Sequence, residues 1–171
     1  MSEWTARRIL REVATPEQRK DILATFWREA DEHARHSAVA VLAKALRFRE
    51  QTLRAATVEK KADLLASRLG SPDLENTFET ALMAHHTSRE RAMMAAFLDR
   101  WGVPHEDGLI EAEEYAIPSK AQIEESVRAL EGEYPLPRIL VYLASIGLLM
   151  GADLPAWRDA AWPVVDRHAP R

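Results

Sequence analysis

Apolar side chains recur three and four residues apart along most of this chain, the spacing that lays a single stripe along an α-helix. The longest series runs Ile22, Leu23, Phe26, Trp27, Ala30, Ala34, Ala38, Val41, Leu42, Ala45 and Leu46 with no strong breaker before about Ala55. It predicts one long helix, or two over 16–36 and 37–54 with a bend near Ser37. Start signals follow the same logic. Thr15-Pro16-Glu17-Gln18 is a capping box with proline at the first helical position, and Thr87 with Glu90 and Ser119 with Gln122 repeat the box. Thr57 and Ser71-Pro72 offer further caps, and Gly70, Gly102, Gly132 and Gly151 offer stops.

The remaining helices are therefore expected at 4–13, 57–69, 72–85, 88–101, 119–131, 136–149 and 153–161, with the tail after Trp162-Pro163 frayed. The helix through Ile139, Leu143, Ile146 and Leu149 is apolar on nearly all sides and is expected to be the most buried. No stretch reads as a strand. The expected fold is all-α, a compact multi-helix bundle or irregular helical array of eight or nine helices. Residues 1–171 form one domain on this reading, with long helices before Leu69 and shorter ones after it. Its predicted core holds Leu23, Phe26, Val41, Leu42, Leu65, Leu82, Met94, Phe97, Leu98, Ile123, Val127, Ile139, Leu140, Leu143 and Ile146.

Composition strengthens this picture: 28 Ala and 19 Leu stand against nine Val and seven Ile, a ratio that favours helix over strand. No repeat with a period of 20 to 50 residues is visible. Charge is uneven. Residues 1–69 carry 14 Lys/Arg and 10 Asp/Glu, net +4, whereas residues 70–171 carry nine and 17, net −8. The halves attract each other, and three acids interrupt the best basic stretch, Lys44 to Arg68, so a nucleic-acid partner is not expected. Without Cys there is no disulfide scaffold or thiol chemistry. The N-terminus lacks an apolar signal core, and the longest apolar run, Ile139 to Met150, is too short for a membrane span. A cytoplasmic location without membrane attachment is expected.

Candidate chemistry is sparse. Glu29, Glu32, His33 and His36 are spaced three and four apart, so three of them can share a helix face. Carboxylate with imidazole is a donor set for zinc or iron, and His86, with its neighbour His85, is the obvious source of a ligand from a second helix. A transition metal is the cofactor this cluster implies; the alternative is no cofactor, with the cluster a solvated face. His105, in the turn Val103 to Gly108, is a candidate acid/base group or a structural one. Residues 103–118 form the longest connection without an assigned element. No nucleophile elbow, phosphate loop or His-Glu-x-x-His motif is present.

Trp4, Trp157 and Trp162 lie near the chain ends, where large aromatics must be covered by the body or by another chain. Two functions follow. The first is a non-catalytic module binding a protein partner or a second copy of itself. The alternative is a helical bundle holding a metal or small ligand between helices on Glu and His side chains.

Overall fold

A computed structural model describes residues 3–150 and 154–169. Among them are ten α-helices: α1 (Ala6–Arg8), α2 (Pro16–Glu29), α3 (Glu32–Leu46), α4 (Glu50–Ala55), α5 (Val58–Ala66), α6 (Glu75–Arg89), α7 (Arg91–Trp101), α8 (Lys120–Leu130), α9 (Leu136–Leu149) and α10 (Leu154–His168). α1 continues into a π-helical turn, Ile9–Val13. The strands are β1 (His105–Glu106) and β2 (Leu109–Ile110), one antiparallel hairpin. The chain is thus predominantly all-α, with ten helices where eight or nine were expected. No helix of the described residues is long and apolar enough to cross a membrane.

Two capping boxes form as the sequence predicts. Thr15 Oγ1 accepts from Gln18 N while Gln18 Oε1 accepts from Thr15 N, and Ser119 and Gln122 repeat the exchange. The long helix, however, breaks earlier than Ser37. Ala30 is extended, and the Asp31 carboxylate accepts from Ala34 N at 2.8 Å, starting α3 afresh. α3 in turn ends at Arg47, which adopts a left-handed conformation with φ 56°. A non-glycine stop of this kind leaves no mark in the sequence pattern. Ser71-Pro72 opens only a 3₁₀ turn, Pro72–Leu74, before α6 begins at Glu75. The expected stop at Gly151 and the expected start at residue 153 fall outside the described residues.

α2 packs on α5 and α6, α6 also touches α1 and α9, and α10 lies against α8 and α9. Buried side chains from Trp4 to Val165 form one contiguous core. Every predicted core residue is buried except Val41, which is half-buried. α9 is the inner helix, with every residue from Ile139 to Gly147 buried. α10 corrects the expected frayed tail: it runs through Pro163 to His168, because Val164 and Val165 are completely buried and tertiary packing outweighs the lost backbone bond. Trp162 Nε1 donates to Ala144 O at 3.2 Å, and Trp157 Nε1 to the Tyr115 hydroxyl at 3.3 Å. All three terminal indoles, Trp4, Trp157 and Trp162, are covered by the chain's own body.

Asp107 and Gly108 both have positive φ, 48° and 83°, the two-residue hairpin turn for which Asp-Gly is well suited. A Cβ at Gly108 would lie 2.6 Å from the Arg91 carbonyl oxygen. Gly108→Ala is therefore expected to destabilise by about 1–3 kcal/mol or more in urea unfolding. Gly102→Ala, whose Cβ meets nothing within 4 Å, is expected to lose only its left-handed backbone preference, about 1 kcal/mol. Equal losses would show that contact with α7 does not matter at Gly108.

Candidate functional site

The residues predicted as a metal cluster separate along the chain. Glu29 is the last residue of α2, and the extended Ala30 puts it on a different helix from His33. Glu29, Glu32, His33 and His36 are all exposed. Glu32 and His36 remain neighbours at 3.7 Å, on the rim of a hollow of about 180 Å³ with Trp27, Arg35, Arg54 and Lys61. His86 is inside the protein, 1% exposed, and packs against the Tyr142 ring. Among the described residues no three His, Cys, Asp or Glu side chains are grouped so as to hold a metal ion.

His105 is fully committed. Its Nδ1 accepts from Gly108 N at 3.1 Å, which leaves the proton on Nε2 to donate to Asp99 Oδ1 at 3.1 Å. Both ring nitrogens are spent on pinning the hairpin to α7, so the imidazole serves as a structural clamp.

A different group of polar side chains converges where α6 meets α7, and it arises from the third predicted capping box failing to form. Thr87 and Ser88 stay within α6, their hydroxyls donating back to the Met83 and Ala84 carbonyls at 2.8 and 2.6 Å. Glu90 then interrupts the helix, with φ −113° and ψ 12°, and its side chain turns inward instead of capping. It is only 5% exposed. From α9, 48 residues away, Arg138 grips it with two bonds, Nε to Oε1 at 3.1 Å and Nη2 to Oε2 at 2.5 Å. His85 Nε2 lies 3.3 Å from Glu90 Oε1 on the other side. Burial alone would raise the Glu90 pKa, but the bonds from His85 and Arg138 outweigh it and bring it down to about 2. Glu90 is therefore an ionised, purely accepting carboxylate at neutral pH.

That fixes the histidine. Facing an acceptor, Nε2 of His85 carries a proton, which leaves Nδ1 as the ring's other polar atom. This Nδ1 is buried without a hydrogen-bond partner, and Asp21 Oδ2 on α2 stands 3.7 Å away. Behind it lies His86, whose two nitrogens have no hydrogen-bond partner and whose ring meets that of His85 edge-on at 5.8 Å. Burial, reinforced by the nearby His85, lowers the His86 pKa to about 3 against the weaker pull of Glu90, so this imidazole is neutral. Burial raises the pKa of the Tyr142 hydroxyl beside it.

In front of these groups opens a cleft of about 310 Å³ lined by Gln18, Asp21, His85, Arg89, Glu90 and Arg138. It draws on α2, the α6–α7 joint and α9 together. Of its residues the sequence pointed only to His85, as the neighbour of His86. Glu90 reads as a cap, and no spacing rule joins Asp21, Arg89 and Arg138 to it. Comparison with protein-family models, curated proteins and solved structures finds no match to this chain.

Proposed function

We propose that this chain is a helical binding module that takes a small polar ligand into the cleft between α2, the α6–α7 joint and α9. The observation that carries the reading is a buried charge cluster whose polar capacity is incompletely used at a cavity wall. His85 Nδ1 has no hydrogen-bond partner, and Arg89, which lines the same cleft, makes no ion pair or side-chain hydrogen bond among the described residues. A buried ring nitrogen without a partner is costly, and such a group beside a carboxylate of shifted pKa in a cleft marks a candidate binding site, with the exposed Arg89 as a further donor at its rim. The reading keeps the expectation of Glu and His side chains working between helices and moves it to other residues.

The indoles at the chain ends, which would favour a protein partner or a second copy if exposed, are covered by the core. The large apolar side chains still exposed among the described residues are Phe48, after α3, and Met83, on α6. They give a partner less to grip than the cleft gives a small ligand.

Thermal unfolding in the presence of a panel of small polar compounds tests the proposal. Ligand at about 100 times its Kd should stabilise the protein by about 2.7 kcal/mol, a rise in melting temperature that Arg89→Ala diminishes. If no compound raises it, or if the rise is indifferent to both Arg89→Ala and Asp21→Ala, the cleft is not a binding site.

A further inference from the structure

The hollow of about 180 Å³ beside Glu32 and His36 shares no lining residue with the cleft, and Trp27 organises it. This indole of α2 is only 4% exposed and holds two cations from two other helices. Arg35 Nη1, from α3, donates to the Trp27 carbonyl oxygen at 3.3 Å, and Lys61 Nζ, from α5, lies 5.0 Å from the centre of the Trp27 ring. One buried residue therefore fixes both cations at the same hollow, which Arg54 of α4 also lines. Arg35 and Lys61 are half-buried, and neither has a carboxylate partner among the described residues. Arg54 is shared with Glu50 at 3.1 Å in an exposed pair. The acid of the lining, Glu32, is 78% exposed at its side chain and stands beside His36. Arg54 and Lys61 belong to the basic stretch Lys44 to Arg68; only the fold adds Arg35 to them.

Arginine and lysine only donate, so these side chains call for an anion. A planar carboxylate is answered by one guanidinium fork, whereas donors from three helices suit a group with three acceptor oxygens and a charge of about −1.5 to −2 at neutral pH, which is a phosphate. We infer that this hollow binds a single phosphate group, free or carried by a small molecule, on Arg35, Lys61 and Arg54. Its volume lies below the ~300 Å³ at which pockets for drug-sized ligands begin, so the ligand is small. A nucleic-acid strand would bring further phosphates against Glu32 and Glu50, which repel them.

Calorimetric titration at about 0.15 M ionic strength, where loose surface attraction is screened, tests this with inorganic phosphate and glycerol 3-phosphate against acetate and a single-stranded oligonucleotide. At least one of the two phosphates should bind at least tenfold more tightly than acetate, and the tighter of them tells whether the natural ligand is free phosphate or an ester. Arg35→Gln and Lys61→Gln should each weaken that binding by about 10- to 100-fold, the loss of one charge-assisted hydrogen bond. Lys44→Gln makes the same change of charge at an exposed position of α3 outside the hollow and should leave binding unaltered. Arg35 also bonds the Trp27 carbonyl, so circular dichroism checks the fold of its variant; should that variant not fold, Lys61→Gln decides alone. The inference is overturned if neither phosphate binds more tightly than acetate, or if Lys44→Gln weakens binding as much as Lys61→Gln does. An oligonucleotide that binds more tightly than both phosphates, and loses that binding in Lys61→Gln, would replace the small ligand by a nucleic acid.

Discussion

Glu90→Ala should lower the unfolding free energy by about 1.5–3 kcal/mol, because it takes the carboxylate away from both the half-exposed Arg138 and the buried His85. Arg138 would keep its guanidinium against α9 with no carboxylate to meet it, and His85 Nε2 would lose its acceptor. The α6–α7 joint would lose the side chain that ties it to α9. Chemical denaturation of Glu90→Ala, Arg138→Ala and the double variant measures this directly. The double variant should be less destabilised than the two single losses added together, by about 1–3 kcal/mol, since removing both partners leaves no orphaned charge. A Glu90→Ala loss below about 1 kcal/mol would place the pair in the class of surface ion pairs.

Stability should also fall steeply in mild acid, with the descent beginning well above the carboxylate range. His86 titrates near its ordinary 6.5 when unfolded but only at about 3 when folded, so below pH 6.5 the unfolded chain binds a proton that the native state refuses. Native stability then declines with falling pH at up to about 1.4 kcal/mol per unit for this one group, until the folded pKa is reached. Glu90 acts in the same direction over a lower window: its contribution is complete above its ordinary 4.5 and is lost as pH falls toward about 2. His86→Leu separates the two. The variant should keep its neutral-pH stability or gain some, because two unpartnered buried nitrogens leave the core, and its acid decline should begin near 4.5 rather than 6.5. Unfolding midpoints followed from pH 8 to 4 read the difference. Wild type and His86→Leu profiles that coincide between pH 6.5 and 4.5 would mean that His86 is not held neutral by its surroundings.

Both predictions concern side chains whose importance is hidden in one dimension. Thr87 and Glu90 have the spacing of a capping box and would form one if α6 ended at His86. Whether it ends there depends on the alternative open to Glu90, and that alternative is Arg138, 48 residues downstream. Two charge-assisted bonds from Arg138 outweigh a cap of about 1 kcal/mol, so α6 runs on to Arg89 and the carboxylate turns inward. The same reasoning explains the predicted metal cluster. The i,i+4 relation of Glu29 to His33 holds only within a continuous helix, and the Asp31 cap makes it discontinuous.

What the amino-acid order decided alone is the local part: the predominantly helical class, the boxes at Thr15/Gln18 and Ser119/Gln122, the left-handed Gly102 and Gly108, and the apolar helix destined for the centre. These rest on neighbours within a turn or two, so each is written out where it acts. Tertiary structure decided the rest. It carried α10 through Pro163 because Val164 and Val165 had a core to enter, and it covered the terminal tryptophans with their own chain. It also brought Asp21, His85, Arg89, Glu90 and Arg138 to one cleft. Packing of α2 and α9 on α6 places them there, and the energy of a buried charge depends on which residues surround it in space, a relation that spacing along the chain does not encode.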